Sequence, residues 1–140
     1  MSARSKARKR ALDVLFEADQ RGRAPLATLQ DWTDRNDPPV PAYADVLVRG
    51  VAEHAPRIDE VLAGYTKDWP LDRLPSVDRA VLRLATFELL WSTEVPPAVA
   101  IDEAIELAKS LSTDASPNFV NGVLARVLAD REQLVAEPSP

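Results

Sequence analysis

The sequence has no cysteine. That excludes disulfides, thiolate nucleophiles and cysteine zinc sites, and it fits a reducing compartment. The one histidine, His54, lies on an apolar stripe beside Pro56 and reads as a packed residue. A metal site would need partners at fixed spacing, and none stands near it. Glycine is scarce, at four in 140 residues, and no segment alternates apolar and polar residues as a half-buried strand does. No apolar run approaches the roughly 18 residues needed to span a bilayer. The chain starts with basic residues, as a signal peptide does. The following "ALDVLFEADQ" carries Asp13, Glu17 and Asp19, so it has no hydrophobic h-region. A Gly-rich phosphate loop, a G-x-S-x-G elbow and a Cys/His pair are all missing. These absences predict a cytoplasmic protein that is not an enzyme and needs no metal or cofactor.

What is present is helical. Hydrophobic residues make up 46% of the chain and charged residues 28%, a globular composition for one domain of ordinary size. Residues 5–21 carry Ala11, Val14, Leu15 and Ala18 at helical spacing, and Gly22 is a natural stop. Residues 26–34 read as a short helix before "NDPPVP" breaks the chain. A long stripe over 42–65 is interrupted by Pro56, which predicts a kink or two helices meeting near residue 55. Ser76 is a good N-cap for a helix of about 76–93 that is apolar on most of its surface, hence central. Residues 98–111 form another helix. Asp102, Glu103 and Glu106 crowd one face of it and read as ordinary wet surface. The last helix begins near Ser116 and Pro117, with Val120, Val123, Leu124 and Val127 inward. The expected fold is all-α, with six to seven helices.

Charge is distributed unevenly. Residues 1–10 hold Arg4, Lys6, Arg8, Lys9 and Arg10 and no acid; the other 130 hold 12 Lys/Arg and 22 Asp/Glu, a balance of −10. At 100° per residue the five cations spread around the whole helix, and Arg8 lines up with the inward stripe. Burying a guanidinium is costly, so the sequence predicts a loose basic arm over 1–10, overhanging a single domain over 11–136. Three readings of the arm stand: a solvated terminus that aids solubility, a phosphate-binding arm giving salt-dependent affinity without sequence selection, and a membrane-surface helix, for which these residues offer almost no apolar face. Selectivity on single-stranded RNA needs stacking and base-edge contacts. Phe16 and Phe119 are the candidate stacking rings, with core packing as the alternative for each. Asn118 and Asn121 flank Phe119 and can read base edges. Gly122 is unfavourable in a helix interior, so another backbone is expected close by, from this chain or from a ligand.

The segments "ARKRALDVLFEAD", "LDRLPSVDRAVLRLATFELLWSTEVPPAVAIDEAIELAKSLS" and "FVNGVLARV" together resemble the NusB family of bacterial transcription antitermination factors. The similarity runs in order along most of the chain and is weakest over 22–42. It implies two packed helical sub-bundles, here about 11–66 and 76–134. It also implies binding of boxA-containing RNA from rRNA leaders together with NusE, which doubles as a small-subunit ribosomal protein. The pair helps RNA polymerase read through terminators in rRNA operons. The family's basic arm and F-x-N-G aromatic lie on the RNA side, which assigns Arg4, Lys6, Arg8, Lys9, Arg10, Phe119 and Asn121 here. Asp78 and its neighbours look like the partner side. Phe16 stands where the family often has tyrosine, so a hydroxyl contact to RNA is lost there while stacking remains open. Some relatives are dimers, which leaves a homodimer among the expectations. Two other readings compete. One is a protein adaptor without RNA. The other is a detached NusB-like domain of an rRNA methyltransferase, which would need a following cofactor-binding domain beyond Pro140.

Overall fold

A computed structural model describes residues 2–136. Met1 of the expected arm and the last four residues lie outside that range. The described residues form eight α-helices, one more than the upper expectation, and no strand. The helices are α1 (Ala3–Arg21), α2 (Pro25–Arg35), α3 (Ala42–Glu53), α4 (Ala55–Tyr65), α5 (Ser76–Trp91), α6 (Pro97–Leu111), α7 (Ser116–Ala129) and α8 (Arg131–Ala136). A 3-10 turn at Leu71–Arg73 leads into α5.

The punctuation follows local chemistry. Ser2 caps α1, its hydroxyl accepting from the Ser5 backbone N–H at 3.0 Å. Gly22 closes the helix with φ +62, a left-handed conformation that glycine adopts without a Cβ penalty. Prolines stand in the first turns of α2, α4, α6 and α7, where a missing N–H is harmless. The stripe over 42–65 does split at His54, because Pro56 cannot continue α3. Ser76 is not the N-cap of α5; Pro75 is, and the Ser76 hydroxyl instead accepts from Gln20 Nε2 at 2.8 Å.

α5 is the central helix, buried on most of its surface as its sequence predicts. α1 and α3 pack against it, with α2 resting on α1 and α3, and α6 and α7 pack against it as well. α4 packs against α5 and α7 as well as against α3. α1 runs antiparallel to α5. Arg8 meets Glu88 near one end of the pair, and Asp19 meets Arg79 at the other.

Candidate nucleic-acid interface

The basic start is not a loose arm. Residues 3–10 are the first two turns of α1, and Ser5, Ala7 and Arg8 are buried. Arg8 is 2% exposed and Glu88 1%. The Arg8 guanidinium donates through Nε at 2.9 Å and Nη2 at 3.0 Å to the two oxygens of Glu88. The Tyr43 hydroxyl donates to the same carboxylate at 2.5 Å, and Glu103 lies 3.4 Å from Arg8 Nη1. A guanidinium buried alone is costly, and the partner that offsets the cost lies 80 residues away in the sequence. Burial lowers the Arg8 pKa, but the hydrogen bonds and charge of Glu88 more than offset it, and the pKa is raised. Arg8, expected on the RNA side, is consumed by the fold.

Tyr43 is shifted by the same cluster. Burial, then the hydrogen bond and charge of Glu88, push its phenol well above the ordinary value near 10. A raised pKa means that the unfolded chain loses this proton first as pH rises. The contribution is therefore complete below about pH 10 and is lost progressively above it. Thermal unfolding between pH 9 and 11 should show a falling Tm, and Tyr43→Phe should flatten the slope.

The other four cations stay outside the core. At 100° per residue, Lys6, Lys9, Phe16 and Gln20 fall within 80° of one another on the face of α1 that points away from the body. Lys6 is exposed and makes no ion pair among the described residues. Lys9 is held by Asp13 at 2.7 Å. Arg4 pairs with Glu94 at 3.1 Å and lies 4.9 Å over the Tyr43 ring. Arg10 sits 4.6 Å over the ring of Trp32 and donates to the Pro38 carbonyl at 3.1 Å. Exposed ion pairs such as Arg4–Glu94 and Lys9–Asp13 contribute only about 0–1 kcal/mol, so a phosphate can take over either cation. Phe16 is 37% exposed and is free to stack.

Phe119 lies in the first turn of α7, half-buried. Its ring meets Trp69 edge to face, centroids 5.2 Å apart. Asn118 and Asn121 are exposed on either side. Outside its own helical turn, no atom of the described residues lies within 4 Å of a Cβ at Gly122, so the close approach expected there does not come from within the described fold. The Phe119 end of α7 and the Arg8 end of α1 lie at opposite ends of α5. Asp78 and Glu88 mark those ends, ten residues or about 15 Å apart. The predicted residues therefore form two patches, not one.

Asp78 is corrected. It is fully buried, accepting from the Ser112 hydroxyl at 2.5 Å and the Ser116 hydroxyl at 2.9 Å. A side chain without exposure cannot be a docking contact; it ties α5 to the start of α7. Of the α6 carboxylates, Asp102 and Glu106 are exposed as expected, while Glu103 accepts from Ser5 and faces Arg8. His54 stacks on Trp91 with centroids 4.1 Å apart, a packed residue as read. Sequence reasoning passed over Tyr43, Glu88, Trp32 and Trp69. The aromatic residues among them were visible as such, but their partners were not. Among the described residues no cluster of three acidic or imidazole groups could hold a metal, and no helix is long and apolar enough to cross a membrane.

Known proteins agree with this architecture. The chain is 60% identical over 136 residues to the transcription antitermination protein NusB of Kineococcus radiotolerans, a match covering 97% of this chain and all of that one. It is 56% identical to the NusB of Acidothermus cellulolyticus, over 100% of this chain and 97% of the relative. Among solved structures, Thermotoga maritima NusB superposes with a TM-score of 0.82 at 34% identity, covering 95% of this chain and 96% of that one. A crystal structure of the antitermination factors NusB and NusE in complex with double-stranded RNA superposes with a TM-score of 0.77 at 29% identity, covering 90% and 96%. The NusB family model matches residues 5–129, and the chain belongs to the NusB family.

Proposed function

We propose that this protein is a cytoplasmic transcription antitermination factor. It binds boxA-type single-stranded RNA of rRNA leaders together with NusE, within the RNA polymerase antitermination complex, and promotes read-through in rRNA operons. No catalytic step is involved. The observation that carries the reading is the start of α1, where Arg4, Lys6, Lys9 and Arg10 remain outside the core after Arg8 has been drawn into it, with Lys6 and Lys9 on the same outward face as Phe16. Phe119, with Asn118 and Asn121, supplies the second RNA patch. The surplus of acid over base outside the first ten residues suits a basic ribosomal protein as partner, because opposite net charges steer association.

The test is fluorescence anisotropy with a boxA-type leader RNA and a scrambled control, with and without purified NusE, at several salt concentrations. Selective binding that tightens with NusE is expected. Equal, salt-sensitive binding to both RNAs that ignores NusE would leave only a sticky basic face. With four surface cations of α1 engaged instead of five, that helix contributes at most about −2.8 to the log–log salt slope. Replacing Arg4, Lys6, Lys9 and Arg10 by Ala should flatten it and weaken both RNAs alike. Phe119→Ala should weaken binding by roughly 1–3 kcal/mol with helicity intact. Loss of helicity instead would make Phe119 a packing residue.

A further inference from the structure

Two of the four glycines have a reason within the fold. Gly22 needs its positive φ, and Gly50 lies against the Phe87 ring. Gly64 and Gly122 have neither reason: each has an ordinary φ, and a Cβ at either would meet nothing within 4 Å. Both sit inside helices, where glycine is less favourable than alanine. Gly64, at the end of α4, stands on the wall of a cleft of about 520 Å³.

That cleft lies between residues 64–69 and the Phe119–Arg126 flank of α7. Trp69 and Phe119, both half-buried, meet there at an interplanar angle of 60°. The cations are ready for an anion. Lys67 is exposed and makes no ion pair among the described residues. Arg126 is steered to the cleft by bonds to the Tyr65 carbonyl at 3.1 Å and the Gly122 carbonyl at 3.2 Å, which leave other guanidinium donors unused. Asp68 adds a carboxylate acceptor on the rim. Two π faces, an opening left free of a side chain, and cations beside it are what an unstacked nucleotide requires.

We propose that this cleft takes one unstacked base of single-stranded RNA. Trp69 is a second stacking ring beside Phe119, Lys67 and Arg126 hold the flanking phosphates, and Gly64 leaves the base its room. The inference rests on the RNA-binding reading above and adds a subsite to it.

The test uses the full chain with NusE and a boxA-type oligonucleotide. Gly64→Leu puts a side chain into the cleft from a position where a Cβ meets no atom, so its melting should match wild type. Both Gly64→Leu and Trp69→Ala should weaken binding by about 5- to 150-fold, with Trp69→Phe recovering most of the loss. Lys67→Ala should reduce the salt slope by about 0.7. Tryptophan fluorescence should be quenched on RNA addition, and much less so in Trp69→Phe. Wild-type affinity in folded Gly64→Leu, or full quenching in Trp69→Phe, overturns the proposal. If wild type binds selectively and loses that binding when the four α1 cations are replaced, while Gly64→Leu keeps it, the cleft alone fails. If wild type shows no selective binding even with NusE, the antitermination reading falls and takes the cleft with it.

Discussion

Arg8→Ala should destabilise the fold by about 3–5 kcal/mol, because it strands a buried carboxylate. Glu88 would keep only the Tyr43 hydroxyl of its direct donors, a neutral group against a full charge. For a chain of this size the Tm should fall by roughly 6–20 °C, read by circular dichroism. Arg8→Lys should not rescue fully, since an ammonium cannot reproduce the two-pronged contact through Nε and Nη2. Removing both partners as Arg8→Met with Glu88→Leu should cost far less than Arg8→Ala alone, since no fully buried charge is left unpaired. Lys6→Ala, on the outer face of the same helix, should change stability by less than about 0.5 kcal/mol. The contrast separates the two roles in one basic stretch. An Arg8→Ala protein that melts like wild type and loses only RNA binding would refute the structural role assigned to Arg8.

Gly50→Ala should destabilise by about 1–3 kcal/mol or more. At this position α3 crosses the flank of α5, and an added methyl would overlap the Phe87 ring. The ring has little room to retreat, because Phe87 belongs to a stack with His54 and Trp91, at centroid distances of 6.0 Å and 6.3 Å. Phe87→Leu should relieve most of the clash. The double variant Gly50→Ala/Phe87→Leu should therefore be less destabilised than the two single effects summed, and a double-mutant cycle on Tm measures the difference. Additive effects would show that the two residues do not meet. Gly64→Ala, in open space within α4, should be neutral or slightly stabilising, which controls for the general effect of removing a helical glycine.

Much of this molecule was legible before any coordinates. The periodicity of Ala11, Val14, Leu15 and Ala18, the nearly all-apolar run around Val81–Leu90 and the prolines opening α6 and α7 act within a few residues. Helix existence and the inward faces follow from them directly. The break at His54 follows from Pro56 for the same reason. Charge segregation, with Phe119 between Asn118 and Asn121, raised RNA binding as one reading, and the F-x-N-G motif entered through the resemblance to the NusB family. Other features depend on which distant residue lies opposite. Arg8 resembles its basic neighbours in sequence, yet Glu88 and Tyr43 turn it into a buried support. Asp78 reads as a first-turn acid, yet Ser112 and Ser116 close over it. Trp69 sits in an irregular connector and gains meaning only beside Phe119 and Gly64. Hydrophobic spacing is written along the chain, so the sequence determined the helices, their buried faces and the family. The pairing of charges and the making of a cleft need residues dozens of positions apart, so only the tertiary structure decided which cations are structural and which are free to bind.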